Sequence, residues 1–202
     1  MTSGHGGRWK EGRAGAASLC YLGLAPSSLA EVARHHAAVG IRATVACLSG
    51  VSGLDVLVER NWDLALWRTP VDPLLPARLT SLDGRTERGW VDPPSEPPAD
   101  ATGCLYRVSM DAGSVPTPAP SLASMLPSRT LPAEVEAAQE AIERIVAEEG
   151  WAIWRIGEEQ LARLGSEGHA RLLSWLGDHH ARIWCAPVRD IATWRPAPAG
   201  SA

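Results

Sequence analysis

The sequence predicts an α/β fold in which parallel strands alternate with helices. Three observations predict it. Short apolar runs, apolar enough for burial on both faces, recur along the chain. Between them lie stretches with apolar residues at helical spacing, opened by capping residues and stopped by glycine. No internal repeat breaks this order. Strand–helix–strand succession implies right-handed crossovers, and the pattern alone fits an open sheet and a barrel equally.

Residues 1–14 read as a loose, polar, glycine-rich tail without the apolar core of a secretory leader. A single domain then spans 15–195, and 196–202 read as a second flexible tail. Residues 16–21 form the first strand. Ser28 followed by Glu31 makes a capping box for a helix that runs to Val39 and stops at Gly40. Residues 41–48 are a second strand, 54–60 a short helix, and 62–67 (WDLALW) a third strand.

Residues 68–132 read as an irregular, proline-rich middle. Seven prolines between 68 and 103 make long regular elements improbable there, and 104–108 form a fourth strand within it. Thr130 and Pro132 open a long helix with Glu134 and Glu136 near its positive end. Val135, Ala138, Ile142, Ile145 and Val146 make its apolar stripe, and Gly150 stops it. Residues 151–156 are a strand. Ser166 caps a helix through His179 that buries Leu172, Leu173, Trp175 and Leu176. Residues 183–186 are the last strand, and Pro187 opens a final short helix.

A chain of 202 residues suits one domain, and a 45% hydrophobic share supplies its core. Aromatic usage is skewed to nine Trp and two Tyr with no Phe, for which there is no physical account. A formal charge of −4 leaves no electrostatic footprint for nucleic acid or an anionic membrane. No apolar run is long enough to span a bilayer, so a cytoplasmic location is the expectation. Cys20, Cys47, Cys104 and Cys185 stand far apart in apolar segments and read as reduced thiols.

The run from Ala16 to Leu48, AASLCYLGLAPSSLAEVARHHAAVGIRATVACL, carries a specific frame. So do LVERNWDLALW at 57–67 and GWAIWRIGEE with HARLLSWLGDHHARIWCAPVRDIATW near the end. In these three segments, about half of it, the chain resembles the polysaccharide-deacetylase (NodB-homology) family. SLCYLG stands where that family has a strand ending in Asp-Asp-Gly. GIRATVACL is similar to its Gly-Ile-x-Ala-Thr-Phe strand, and NWDLALW to its Gly-His-Glu-Leu-Ala-x-His strand. The resemblance implies a distorted (β/α)7 barrel with its site at the C-terminal ends of the strands.

The family's chemistry needs an Asp as general base, and an Asp and two His holding a divalent ion that activates water and polarises the acetyl carbonyl. A further His protonates the leaving amine. Laid on this sequence, the base slot holds Tyr21, the metal-Asp slot Leu22 and the first metal-His slot Trp67. The acid His would fall between Arg155 and Gly157, and none is there. No Asp precedes Asp55, so no shift of register restores the first pair. Neither Leu nor Trp ligates zinc, so neither metal nor other cofactor is expected.

Other residues were weighed for the site. Adjacent helical residues point ~100° apart, so neither His35–His36 nor His179–His180 can chelate one ion alone; both are expected as solvated surface pairs, and His169 as a surface or capping residue. The loop at 49–53 (SGVSG) lies at the predicted rim without the spacing of a nucleophile elbow or the lysine of a phosphate loop. Strand alternation sends Trp62 and Trp67 to opposite faces, so at most one lines the mouth. Trp154 is a third ring considered with them.

The expected function is that of a deacetylase-like, non-catalytic carbohydrate-binding or protein-interaction module. Tyr21, Trp67, Arg107 and Arg155 are its candidate ligand-binding residues. The alternative is a hydrolase of C–N bonds that uses other groups, with Tyr21 as acid or base. Expected partners are a carbohydrate or other small molecule, or an intact deacetylase.

Overall fold

The computed structural model describes residues 9–50, 52–67, 72–91, 104–110 and 125–194. Strands β1 (Gly15–Leu22), β2 (Thr44–Cys47), β3 (Asp63–Trp67), β4 (Arg88–Val91) and β5 (Cys104–Val108) lie side by side in sequence order. Two very short strands follow, β6 (Met125–Leu126) and β7 (Arg129–Thr130), then β8 (Trp151–Ile156) and β9 (Ile183–Cys185). Every strand pair among them is parallel. Helices α1 (Pro26–Val39), α2 (Asp55–Glu59), α3 (Leu75–Asp83), α4 (Val135–Ala147), α5 (Glu158–Asp178) and α6 (Val188–Thr193) complete the described elements, with a 3-10 turn at Lys10–Gly12.

The sheet closes on itself through a small piece of chain. β6 pairs with β5 and β7 pairs with β8, while β8 is hydrogen-bonded to β1. Only Pro127 and Ser128 separate β6 from β7, so this one segment carries the sheet from β5 across to β8. The result is the expected distorted (β/α)7 barrel. β9 adds to the start of β1, with Gly15 opposite Ile183, on the edge that β2 occupies farther along.

Alternation sorts each strand between two cores. Ala17, Leu19 and Tyr21 of β1 face the helices, together with Val45, Leu64, Leu66, Trp154 and Ile156. Ala16, Cys20 and Leu22 face the lumen with Ala46, Ala65, Val91, Tyr106, Val108, Trp151 and Ile153. The lumen is packed because small residues on β1–β4 face large rings from β5 and β8. At Gly89 a Cβ would come within 1.8 Å of the Tyr106 ring, so glycine is required there.

Several elements depart from the sequence expectation. Residues 9–14 are packed rather than loose: Trp9 is buried, and its indole N–H donates to the Glu149 carbonyl at 2.9 Å. The proline-rich middle contains α3 and β4. Pro76 sits in the first turn of α3, where its missing N–H costs nothing. β2 begins at Thr44, because Gly40 at φ +69° ends α1 and the chain needs three residues to reach the sheet. α5 begins at Glu158 and breaks at Gly165, so the helix expected from Ser166 is its second half. The expectations for 1–8 and 196–202 lie outside the described residues.

Candidate functional site

The C-terminal ends of the strands form one rim of the barrel. On β1, Leu22 points into the lumen and Gly23 follows at φ +53°. The half-buried Trp67 ring at the end of β3 lies directly on Gly23, where an added Cβ would stand 2.4 Å from Trp67 Cζ3. Trp62 faces the helices, as alternation requires. Beside this contact opens a cavity of about 350 Å³, lined by residues of the β1–α1 turn, including Leu24 and Pro26, and by Cys47, Leu48 and Ser49 after β2. The 49–53 loop, of which Val51 lies outside the described residues, therefore does border a rim cavity.

Arg155 is the charged group nearest this end of the lumen on β8, and it is buried. It is paired in register with Cys20, and its guanidinium donates to Met110 Sδ at 2.8 Å and Thr130 Oγ1 at 3.3 Å. Burial pushes the Cys20 thiol far up, with Asp63 adding to the rise and Arg155 opposing it. Cys47 is pushed up to about 12, mainly by burial. Both thiols are inert packing groups at neutral pH. All four cysteines are free, with Cys104 and Cys185 half-buried. Arg107 lies between Tyr106 and Val108, both inside the barrel, so alternation directs it to the outer face and away from Arg155.

Tyr21 does not line the rim. It sits on the helix side of β1, fully buried, and burial holds its phenol well above the ordinary range. Its hydroxyl lies 2.8 Å from His36 Nε2 and 2.7 Å from His169 Nε2, and His169 Nδ1 lies 3.0 Å from His35 Nδ1. The three histidines expected at the surface are thus buried around one tyrosine. Their placement follows a pattern present in the sequence. Leu29, Val32, Ala33 and His36 are spaced i, i+3, i+4, i+7, as are His169, Leu172, Leu173 and Leu176, so each histidine continues an apolar stripe. His179 and His180, by contrast, bond backbone carbonyls of the last turn of α5.

The far end of the lumen holds a second polar cluster. Asp63 Oδ2 accepts from Tyr106 at 2.5 Å and from Thr44 at 3.1 Å. Burial nevertheless raises the Asp63 carboxyl, because desolvation outweighs those bonds.

Two solved structures share this architecture. One is the Xyl-CE4 domain of a multidomain xylanase from the hindgut metagenome of Trinervitermes trinervoides, at TM-score 0.55 and 10% identity over 88% of this chain and 89% of that one. The other is the Bc1960 peptidoglycan N-acetylglucosamine deacetylase, at TM-score 0.53 and 9% identity over 89% and 88%. The fold is the polysaccharide-deacetylase barrel. No protein-family model matches the sequence, and no curated protein sequence does.

The resemblance implies a metal at the rim, and the described rim residues do not fit one. The described strand ends, at 22–24, 47–50, 66–67, 90–91, 108–110 and 156–157, contain no Asp, Glu or His. Gly157, near the place of the acid histidine, caps α5 and donates its N–H to Gln160. Two described carboxylates close to these ends in sequence are committed elsewhere. Glu158 accepts from Ala25 N at 2.6 Å and Ser28 Oγ at 2.9 Å, and Asp72 accepts from Leu74 N and pairs with Arg78. Among the described residues no group of three or more His, Cys, Asp or Glu is arranged to hold an ion.

Proposed function

We propose that this chain is a carbohydrate-binding protein built on the polysaccharide-deacetylase barrel, without metal-dependent deacetylation. The observation that carries this reading is the seating of Trp67 on Gly23. A bulky, half-exposed indole and an inward Leu22 occupy the ground where the family's chemistry needs an Asp and a His. An indole face at the edge of an apolar cavity is suited to stacking on a sugar ring. Arg155, farther into the lumen and bonded to Met110 and Thr130, brings a positive charge to the same end of the barrel.

The test has two parts. Protein purified without chelators is analysed for bound metal and incubated with N-acetylated and O-acetylated oligosaccharides. No stoichiometric metal and no acetate release are expected, and finding both overturns the non-catalytic half of the reading. Calorimetric titration with chito- and xylo-oligosaccharides tests the binding half. Trp67→Ala is expected to weaken binding by about tenfold while far-ultraviolet circular dichroism stays unchanged. Absence of heat with every sugar leaves no support for a carbohydrate ligand.

A further inference from the structure

We propose that the seam between α1 and the second half of α5 is an acid-released latch, closed by a one-way chain of hydrogen bonds through His36, Tyr21, His169 and His35. The direction of the chain follows from its ends. His36 Nδ1 lies 3.1 Å from the Ile41 carbonyl, which only accepts, so that nitrogen carries the proton. His36 Nε2 is then an acceptor, and Tyr21 donates to it. Having spent its one proton, the Tyr21 oxygen accepts from His169 Nε2–H. His169 Nδ1 is therefore bare and accepts from His35 Nδ1–H. At the other end His35 Nε2 accepts from the Arg34 guanidinium at 3.0 Å, which only donates.

Every link fits one arrangement in which all three imidazoles are neutral. No ring in it can take up a proton without breaking a link. A proton on His36 Nε2 would meet the Tyr21 hydroxyl, one on His169 Nδ1 would meet the His35 donor, and one on His35 Nε2 would meet Arg34. The surrounding charges do not relieve this. Glu31 Oε1 stands 3.9 Å from His35, but it accepts from Ser166 and lies 3.8 Å from Arg34. Glu158 caps α1, and Arg42 and Arg60 line the cavity on the other side of His36. Burial agrees with this reading: it lowers His36 to about 3 and His169 to about 4, and it lowers His35 as well.

The sign follows from linkage. The closed seam binds no proton on His36 or His169, whereas in an open seam both rings return to their ordinary pKa near 6.5 and bind one each. Opening is therefore favoured as the pH falls below about 6.5, and two protons make the response steep. Between pH 7.5 and 5.5 the opening constant should rise roughly 100-fold. The movement has a defined boundary, because the backbone of α5 already breaks at Gly165, just before Ser166 and His169.

Amide hydrogen exchange of the intact protein, corrected for the intrinsic pH dependence, reads the opening directly. Protection at 29–38 and 166–174 is expected to fall about 100-fold between pH 7.5 and 5.5 while amides of β1–β3 keep theirs. A fall of tenfold or less, or an equal fall across the whole chain, overturns the latch. His169→Gln removes one of the two protons and should cut the effect to about tenfold. Nitrogen-15 spectra of the unaltered protein at pH 7.5 provide a check that needs no variant. The chain requires Nδ1–H on His35 and His36 and Nε2–H on His169, and any other tautomer or a charged ring among them overturns it.

Discussion

Gly89 and Tyr106 show how single residues set the width of this barrel. The Tyr106 ring lies against the Gly89 backbone so closely that a methyl group there would overlap it, and Tyr106 cannot retreat because its hydroxyl is held by Asp63. Gly89→Ala must therefore displace the ring and strip the buried carboxylate of its shortest bond. A loss of about 3 kcal/mol is expected, measured by urea denaturation. A change below 0.5 kcal/mol would mean that the ring moves freely. Gly89 is not legible from sequence, since it lies in a stretch dense with proline and a glycine there looks like one more loop residue. The histidines were equally hidden. Their helical spacing with Leu29, Val32 and Leu172 was present, but an imidazole on an apolar stripe becomes informative only when its buried partner, Tyr21, is known to sit 15 residues from one and 148 from the other.

At the scale of elements, strand and helix were legible wherever the pattern was local. β5 and β8 occupy the residues expected of them, 104–108 and 151–156, because each is a short apolar run bounded by glycine or polar residues. Closure of the barrel was not legible. It depends on β6 and β7, two residues each, which are too short to leave a period. α5 lies between these cases. Ser166 opens only the second half of α5, and Gly165 joins that half to the first at φ +68° and ψ 167°. This region of backbone space is essentially closed to residues with a Cβ. An added Cβ at Gly165 would meet no atom within 4 Å, so any cost of Gly165→Ala is one of backbone conformation alone. The variant is expected to lose about 2 kcal/mol. If it instead gains stability and helical ellipticity, the two halves of α5 prefer to be one continuous helix and the break is not built in.

The whole barrel is sealed at the end opposite the rim by four tryptophans drawn from both ends of the chain. Trp9 stacks on Trp194 with ring centroids 6.1 Å apart and meets Trp151 and Trp184 at 6.5 and 6.4 Å. α6 packs beneath β1 and β5 and closes the same end, with Val188, Ile191 and Ala192 buried in the lumen core. No pattern near residue 9 announces this. The partners of Trp9 lie more than 140 residues away, and a lone Trp in a polar, glycine-rich stretch has no period to betray burial. The physical consequence is that the N-terminal stretch bears on the stability of the entire sheet. Trp9→Ala would open a cavity beside three rings and leave the Glu149 carbonyl, in a turn already at φ +55°, without its indole donor. A loss of about 4 kcal/mol is expected, seen as a lower guanidinium midpoint at unchanged slope. A loss under 1 kcal/mol would show that Trp151, Trp184 and Trp194 close the barrel by themselves. A lower slope would instead show that the substitution loosens the native barrel rather than removing one contact from it.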